Sequence, residues 1–260
     1  MMKSRIFYLH KITFFIIIMS ITNITKADVN ISSYETKNGI KVLFSKSDNI
    51  PMIDIKITFD AGSNRDGDTK GLSMLTHSLL DEGTSVRKSE EIASIFESNG
   101  SIFNTSVNKD RSSISLRSLT QEKYLNPSLK MFLEILSDSS FPNNEVNLQK
   151  KRTISTIIED QSDPSEIASN LFFKEIYGDH PYSHPSIGYA DSVKKISRKN
   201  IKDFYDKNIN AKNASIAIVS SLSKKEVIAI AEKISKSLDK SKKKEITKQA
   251  KTISKKEKYI

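Results

Sequence analysis

The chain has 260 residues and no cysteine, which excludes a disulfide framework and a thiolate metal site. Its formal net charge of +10 sits mainly at the two ends: Lys3, Arg5, Lys11 and Lys26 open the chain, and nine lysines face two glutamates over residues 240–260. The stretch between them is close to neutral, so nucleic acid is not the expected partner.

The first predicted element is a secretory signal peptide over residues 1–27. Lys3, Arg5 and Lys11 form its basic start, residues 12–22 its apolar run, and Thr25-Lys26-Ala27 a small-residue cleavage site before Asp28. The apolar run is short for a bilayer span, which needs about 20 residues. An uncleaved anchor is the alternative. One domain is expected over 28–239, followed by a lysine-rich linker, or the truncated start of a second half, over 240–260.

Within that domain, Tyr34 to Ser45 predicts a β-hairpin around Asn38-Gly39. Residues 52–59 alternate as a half-buried strand does, and Asp60 to Lys70 read as a polar loop. Gly71 to Asp81 predict a helix with Leu72, Leu75, Leu79 and Leu80 on its apolar face. Ser89 is the expected cap of a second helix, with Glu90 and Glu91 in its first turn and Asn99-Gly100 at its end. Residues 101–107 and 112–119 predict paired strands around Asn108-Lys109-Asp110.

Helices are then expected over 129–136 and from Glu145 to about Glu159, broken by Asp163-Pro164. Residues 167–177 predict an amphipathic helix with Phe172, Phe173 and Tyr177 in the core, followed by a loop over 178–188. A helix over 200–208, a strand over 214–219 and a helix over 224–238 complete the series. Strand pairs followed by helix pairs predict an α+β domain.

Few residues carry recognisable chemistry. There is no Gly-x-Ser-x-Gly elbow, P-loop or dinucleotide fingerprint. Beyond the signal segment the histidines are His77, His180 and His184. His77 and Asp81 have the spacing of one helix face, which suits either a shared metal or an ordinary His–Asp pair. His180 and His184 have His-x-x-x-His spacing, but Pro181 and Pro185 place them in a loop.

Residues Gly71 to Thr84 read Gly-Leu-Ser-Met-Leu-Thr-His-Ser-Leu-Leu-Asp-Glu-Gly-Thr. Their two ends, Gly71 and Gly83-Thr84, resemble the frame of the metal helix in the pitrilysin/insulinase-type peptidases, Gly-x-Ala-His-x-x-Glu-His closing with Gly-Thr. Further blocks are similar to that family: Asn38-Gly39-Ile40-Lys41-Val42, Ala61-Gly62-Ser63, the run Tyr177-Gly178-Asp179-His180-Pro181-Tyr182 with Ile187-Gly188, and Phe204-Tyr205 followed by residues 213–219. The likeness extends over 33–238. It implies the family's N-terminal domain, a mostly antiparallel sheet packed against helices, as in the pitrilysin/mitochondrial-processing-peptidase-like fold.

The same resemblance implies that the zinc chemistry has gone. Met74 stands at the position of the first zinc histidine, His77 at that of the general-base glutamate, and Ser78 at that of the second histidine. Thr156 stands at the third-ligand glutamate, with Glu159 one turn further on as a substitute. Shifting the first helix by one residue either way restores no ligand set. No cofactor is therefore expected. Zinc belongs only to an alternative reading, a divergent metallopeptidase of the same family using His77, Asp81 or Glu159.

The leading expectation is an exported, non-catalytic peptidase homologue in a bacterial periplasm. It would help a zinc-competent homologous subunit bind polypeptide substrate, and would meet the membrane only through its signal peptide. A third expectation is an envelope binding or structural protein derived from the family. If the chain is one half of a longer arrangement, it should expose an apolar face.

Overall fold

The computed structural model describes residues 30–238. The signal peptide expected over 1–27 and the lysine-rich segment expected over 240–260 lie outside the described residues.

Six strands form one sheet: β1 (Ile31–Glu35), β2 (Lys41–Lys46), β3 (Met52–Phe59), β4 (Ile102–Val107), β5 (Ser112–Leu119) and β6 (Ala214–Ser220), in spatial order β1-β2-β6-β3-β5-β4. Only β2 and β6 pair in parallel; every other ladder is antiparallel. Alternation in sequence becomes alternation in space. Val42, Phe44, Ile53, Ile55, Ile57, Ile114, Leu116, Ile216 and Ile218 are buried, whereas Leu43, Lys56, Arg117 and Ala217 stay exposed. The fold is α+β, as expected.

Among the described residues eight α-helices accompany the sheet: α1 (Leu72–His77), α2 (Ser89–Ser98), α3 (Glu122–Asp138), α4 (Asn143–Asp160), α5 (Pro164–Tyr177), α6 (Ala190–Lys195), α7 (Arg198–Asn208) and α8 (Lys224–Ser237). α3 packs against α8 and β5, and α8 against β2 and β6. α1 sits between α7, α4 and the edge strand β4. Among the described residues no helix is long and apolar enough to cross a membrane.

The strands over 52–59, 112–119 and 214–219 and the last helix fall where expected, within about two residues, and the hairpin forms but starts three residues earlier, at Ile31. Other elements differ for local reasons. α1 ends at His77 instead of running to Asp81. Beyond it the chain tightens into i→i−3 bonds, Leu79 N–H to Thr76 O at 3.3 Å and Glu82 N–H to Leu79 O at 3.3 Å. The Leu80 carbonyl accepts the Ser139 hydroxyl at 2.7 Å instead of continuing the helix.

Ser89 is the first helical residue of α2, and Lys88 is the cap. The Glu91 carboxylate accepts the Lys88 N–H at 3.0 Å. α3 begins at Glu122 and carries Pro127 inside it, despite the usual bar to proline in a helix interior. Asp163-Pro164 not only breaks α4 but starts α5: the Asp163 carboxylate accepts the Ser165 N–H at 2.7 Å, with proline in the first helical position. The short α6 was not predicted.

Phe172, Phe173 and Tyr177 do not enter the core. α5 buries none of its residues, Phe172 is 59% exposed, and Phe173 and Tyr177 are half-buried, stacked at 5.9 Å. These rings pack against the adjoining loop rather than the sheet. Phe173 lies under Lys109, and Tyr177 meets Tyr182 edge-on at 5.4 Å.

Candidate functional site

The frame of α1 is built from backbone contacts between segments far apart in sequence. Gly62 N–H donates to Asp110 O, Ser63 N–H to Asn108 O and Asn64 N–H to Lys109 O, zipping the loop before α1 onto the β4–β5 turn. Gly71 and Gly188 cross so closely that a Cβ on Gly188 would lie 2.5 Å from Lys70 O, and one on Gly71 2.5 Å from Ile187 O. Both have positive φ, 91° and 84°, so side chains are excluded by conformation as well as by space. Ser63 and Ser186 hydroxyls meet at 3.1 Å, and the Lys109 ammonium donates to His184 O at 2.6 Å.

Asp66 fixes the start of the helix. Its two carboxylate oxygens accept N–H bonds from Gly71 and Ser73, each at 2.7 Å. Burial pushes this carboxyl up to about 7, although both N–H bonds and Lys70 pull the other way. Asp66 was not legible in the sequence, because its N–H donors lie five and seven residues ahead, beyond a turn that spacing does not reveal. The Ser73 hydroxyl donates to Ala61 O at 2.6 Å and ties the helix to the loop.

On this frame, Met74 and Ser78 occupy one half-buried face, one turn apart. The Ser78 hydroxyl donates to Leu75 O at 3.0 Å. His77 points elsewhere. It is 1% exposed, its Nδ1 lies 2.8 Å from Ser73 O, and its ring meets Phe204 edge-on at 6.4 Å. Nδ1 therefore carries the hydrogen, and Nε2 is buried without a partner. Burial holds the imidazole down at about 4, only partly offset by the Ser73 bond.

Thr156 lies on an exposed face of α4, with its hydroxyl on Arg152 O at 3.2 Å, and Glu159 is also exposed. Asp81 is off the helix, in the turn after α1, so the one-face pairing with His77 expected from the spacing does not form. Burial raises the Asp81 carboxyl. His184 is buried, with Nδ1 2.9 Å from Pro185 O, and its imidazole is lowered by burial. The His180 Nδ1 accepts the Tyr182 N–H at 3.2 Å. Among the described residues, no group of three or more His, Cys, Asp or Glu is arranged to hold a metal ion.

The donors at the aligned positions do not fit zinc. A thioether and two hydroxyls are not the imidazole, thiolate or carboxylate that zinc takes, and the one imidazole nearby lies inside the core. What the arrangement does offer is an unpaired edge. Among the described residues, β4 is the last strand on one side of the sheet, beside α1, with no strand paired along its outer edge.

The sequence profile of insulinase (peptidase family M16) matches residues 41–188, and that of the peptidase M16 inactive domain matches residues 195–260. The second match starts before β6, whose strand lies in the middle of the sheet, so the two matches share one folded unit. An uncharacterized zinc protease of Rickettsia felis is 23% identical over 214 residues, 82% of this chain and 51% of its own length. A solved peptidase M16 inactive domain from Pseudomonas fluorescens is similar at 34% identity with a TM-score of 0.83, covering 86% of this chain and 54% of that one. A solved protease from Helicobacter pylori has a TM-score of 0.76 at 21% identity, again over 86% and 54% of the two chains. The chain thus spans about half the length of the curated relatives it matches.

Proposed function

From the premise that the chain belongs to the insulinase peptidases, family M16, we propose that it is a non-catalytic member, exported to a bacterial periplasm, that helps a zinc-competent homologous subunit bind polypeptide. One observation supports this reading: close backbone packing holds α1 in place, while the positions that resemble the family's reactive ones hold Met74, a core-facing His77 and Ser78. The Gly71–Gly188 crossing, the Asp66 cap and the β4–β5 zipper all serve to place a helix that offers no zinc ligands.

The open edge of β4 beside that helix supports a role in holding polypeptide, because an extended peptide adds to a sheet edge through main-chain bonds. Export rests on the basic, apolar and small-residue pattern of residues 1–27.

The test is co-purification from the native cell with metal analysis of the chain alone and of the recovered complex. The chain alone should hold no stoichiometric zinc and cleave no peptide, and the complex should contain a zinc-bearing homologue. About one zinc per isolated chain with chelator-sensitive cleavage would reverse the reading in favour of a divergent metallopeptidase. Recovery of an envelope protein unrelated to peptidases would favour a structural role.

A further inference from the structure

α5 is the anomaly of the fold. It carries Ile167, Leu171, Phe172 and Ile176, all between 42% and 59% exposed, and buries no side chain. A helix that is apolar on its solvent side is normally covered by something. Part of this face is concave. A groove of about 380 Å³ runs between α4, α5 and the 185–189 loop, with Ile157, Ile167, Leu171, Ile187 and Tyr189 among its walls. That volume is within the range of ligand-binding clefts.

The groove is polarised. Asp160 and Glu166 line it at the corner where α4 passes into α5, and Lys174 lines it further along α5. About 12 Å of helix separates Glu166 from Lys174, the reach of roughly four extended residues. Among the described residues, neither Asp160 nor Glu166 has a side-chain hydrogen bond or ion pair.

We propose that this groove binds a polypeptide segment in which a basic residue adjoins a run of apolar ones. The apolar side chains would fill the wall between α4 and α5, and the basic one would meet Asp160 and Glu166. Lys174 would disfavour a second basic residue at the far end. The inference rests on the reading that the chain binds polypeptide, and it adds a side-chain preference to the sequence-blind pairing offered by β4. Lys109, which ends 4.6 Å over the Phe173 ring, and the Tyr182 hydroxyl, which donates to Asp110, hold the α5 region against the β4–β5 turn. Side-chain contacts therefore join the α5 region to the β4–β5 turn.

Fluorescence anisotropy on the full chain tests this with two labelled octapeptides, one containing Lys-Leu-Leu-Leu and one Glu-Leu-Leu-Leu. The lysine probe should bind about threefold or more tighter, the scale expected of exposed charge pairs. Leu171→Asp, an exposed change checked by circular dichroism, should weaken it by about tenfold. The double variant Asp160→Asn/Glu166→Gln should remove the preference for lysine. Equal affinity for both probes, or unchanged binding to the Leu171→Asp variant, overturns the proposal.

A lysine probe N-methylated along its backbone separates the two levels of the argument. If methylation abolishes binding while Leu171→Asp has no effect, the peptide lies on the β4 edge: the groove is refuted and polypeptide binding stands. If neither octapeptide binds the wild-type chain, the groove proposal fails together with the binding reading beneath it.

Discussion

His77 shows how the surroundings of one residue decide its chemistry. Its folded value of about 4 lies below the ordinary 6.5, so between those values the unfolded chain binds more protons and stability falls as pH falls. Asp66 acts in the opposite sense. Its raised carboxyl keeps a proton that the unfolded chain has lost, which favours the folded state as pH falls from about 7 towards the ordinary 3.8. The two slopes offset in the wild type, so a variant is needed to separate them. His77→Leu should lose less thermal stability than the wild type between pH 6.5 and about 4.5. Identical slopes in thermal melts would show that His77 is not buried neutral. The residue types at 74, 77, 78 and 156 were legible in the sequence as departures from the family's ligand pattern. The inward turn of His77 was not, because it depends on Phe204, which comes from a distant helix.

At the scale of elements, the blocks that resembled the family in sequence prove to be places where backbones touch. Gly71 and Gly188 were noticed only as matching letters, and their shared close approach is a tertiary fact. Gly188→Ala should cost about 2 kcal/mol or more, from strain at positive φ plus the clash with Lys70 O, read as a lower denaturant midpoint. If the frame still has the geometry of a metal helix, Met74→His/Ser78→His/Thr156→Glu should gain about one zinc per chain by atomic absorption. No uptake would mean that α1 and α4 no longer approach correctly. Strands were read well because alternation is local. The end of α1 differs from the expectation because Ser139, the residue that caps the C-terminus of α3, takes the Leu80 carbonyl. α5 was misread because its apolar residues have helical spacing but no layer of the fold to cover them.

For the molecule as a whole, the order of strands was the least legible feature. β6 lies between β2 and β3, pairing Val42 with Ile216 and Ile55 with Ile218. Nothing in an apolar alternation names its neighbour, so sequence revealed the strand without its place. The place has a mechanical meaning: without β6 the pair β1–β2 has no link to the other three strands. A chain cut after Asn213 should therefore lack a cooperative thermal transition, and a sharp melt near that of the full chain would contradict this. The same central strand sets the timing of folding. It comes from residues 214–220, and its pairing with residues 41–46 joins segments more than 160 residues apart. Such long-range closure is slow. Until residues 214–220 have been made the sheet cannot close, and for a protein proposed to cross a membrane that delay keeps the earlier strands threadable.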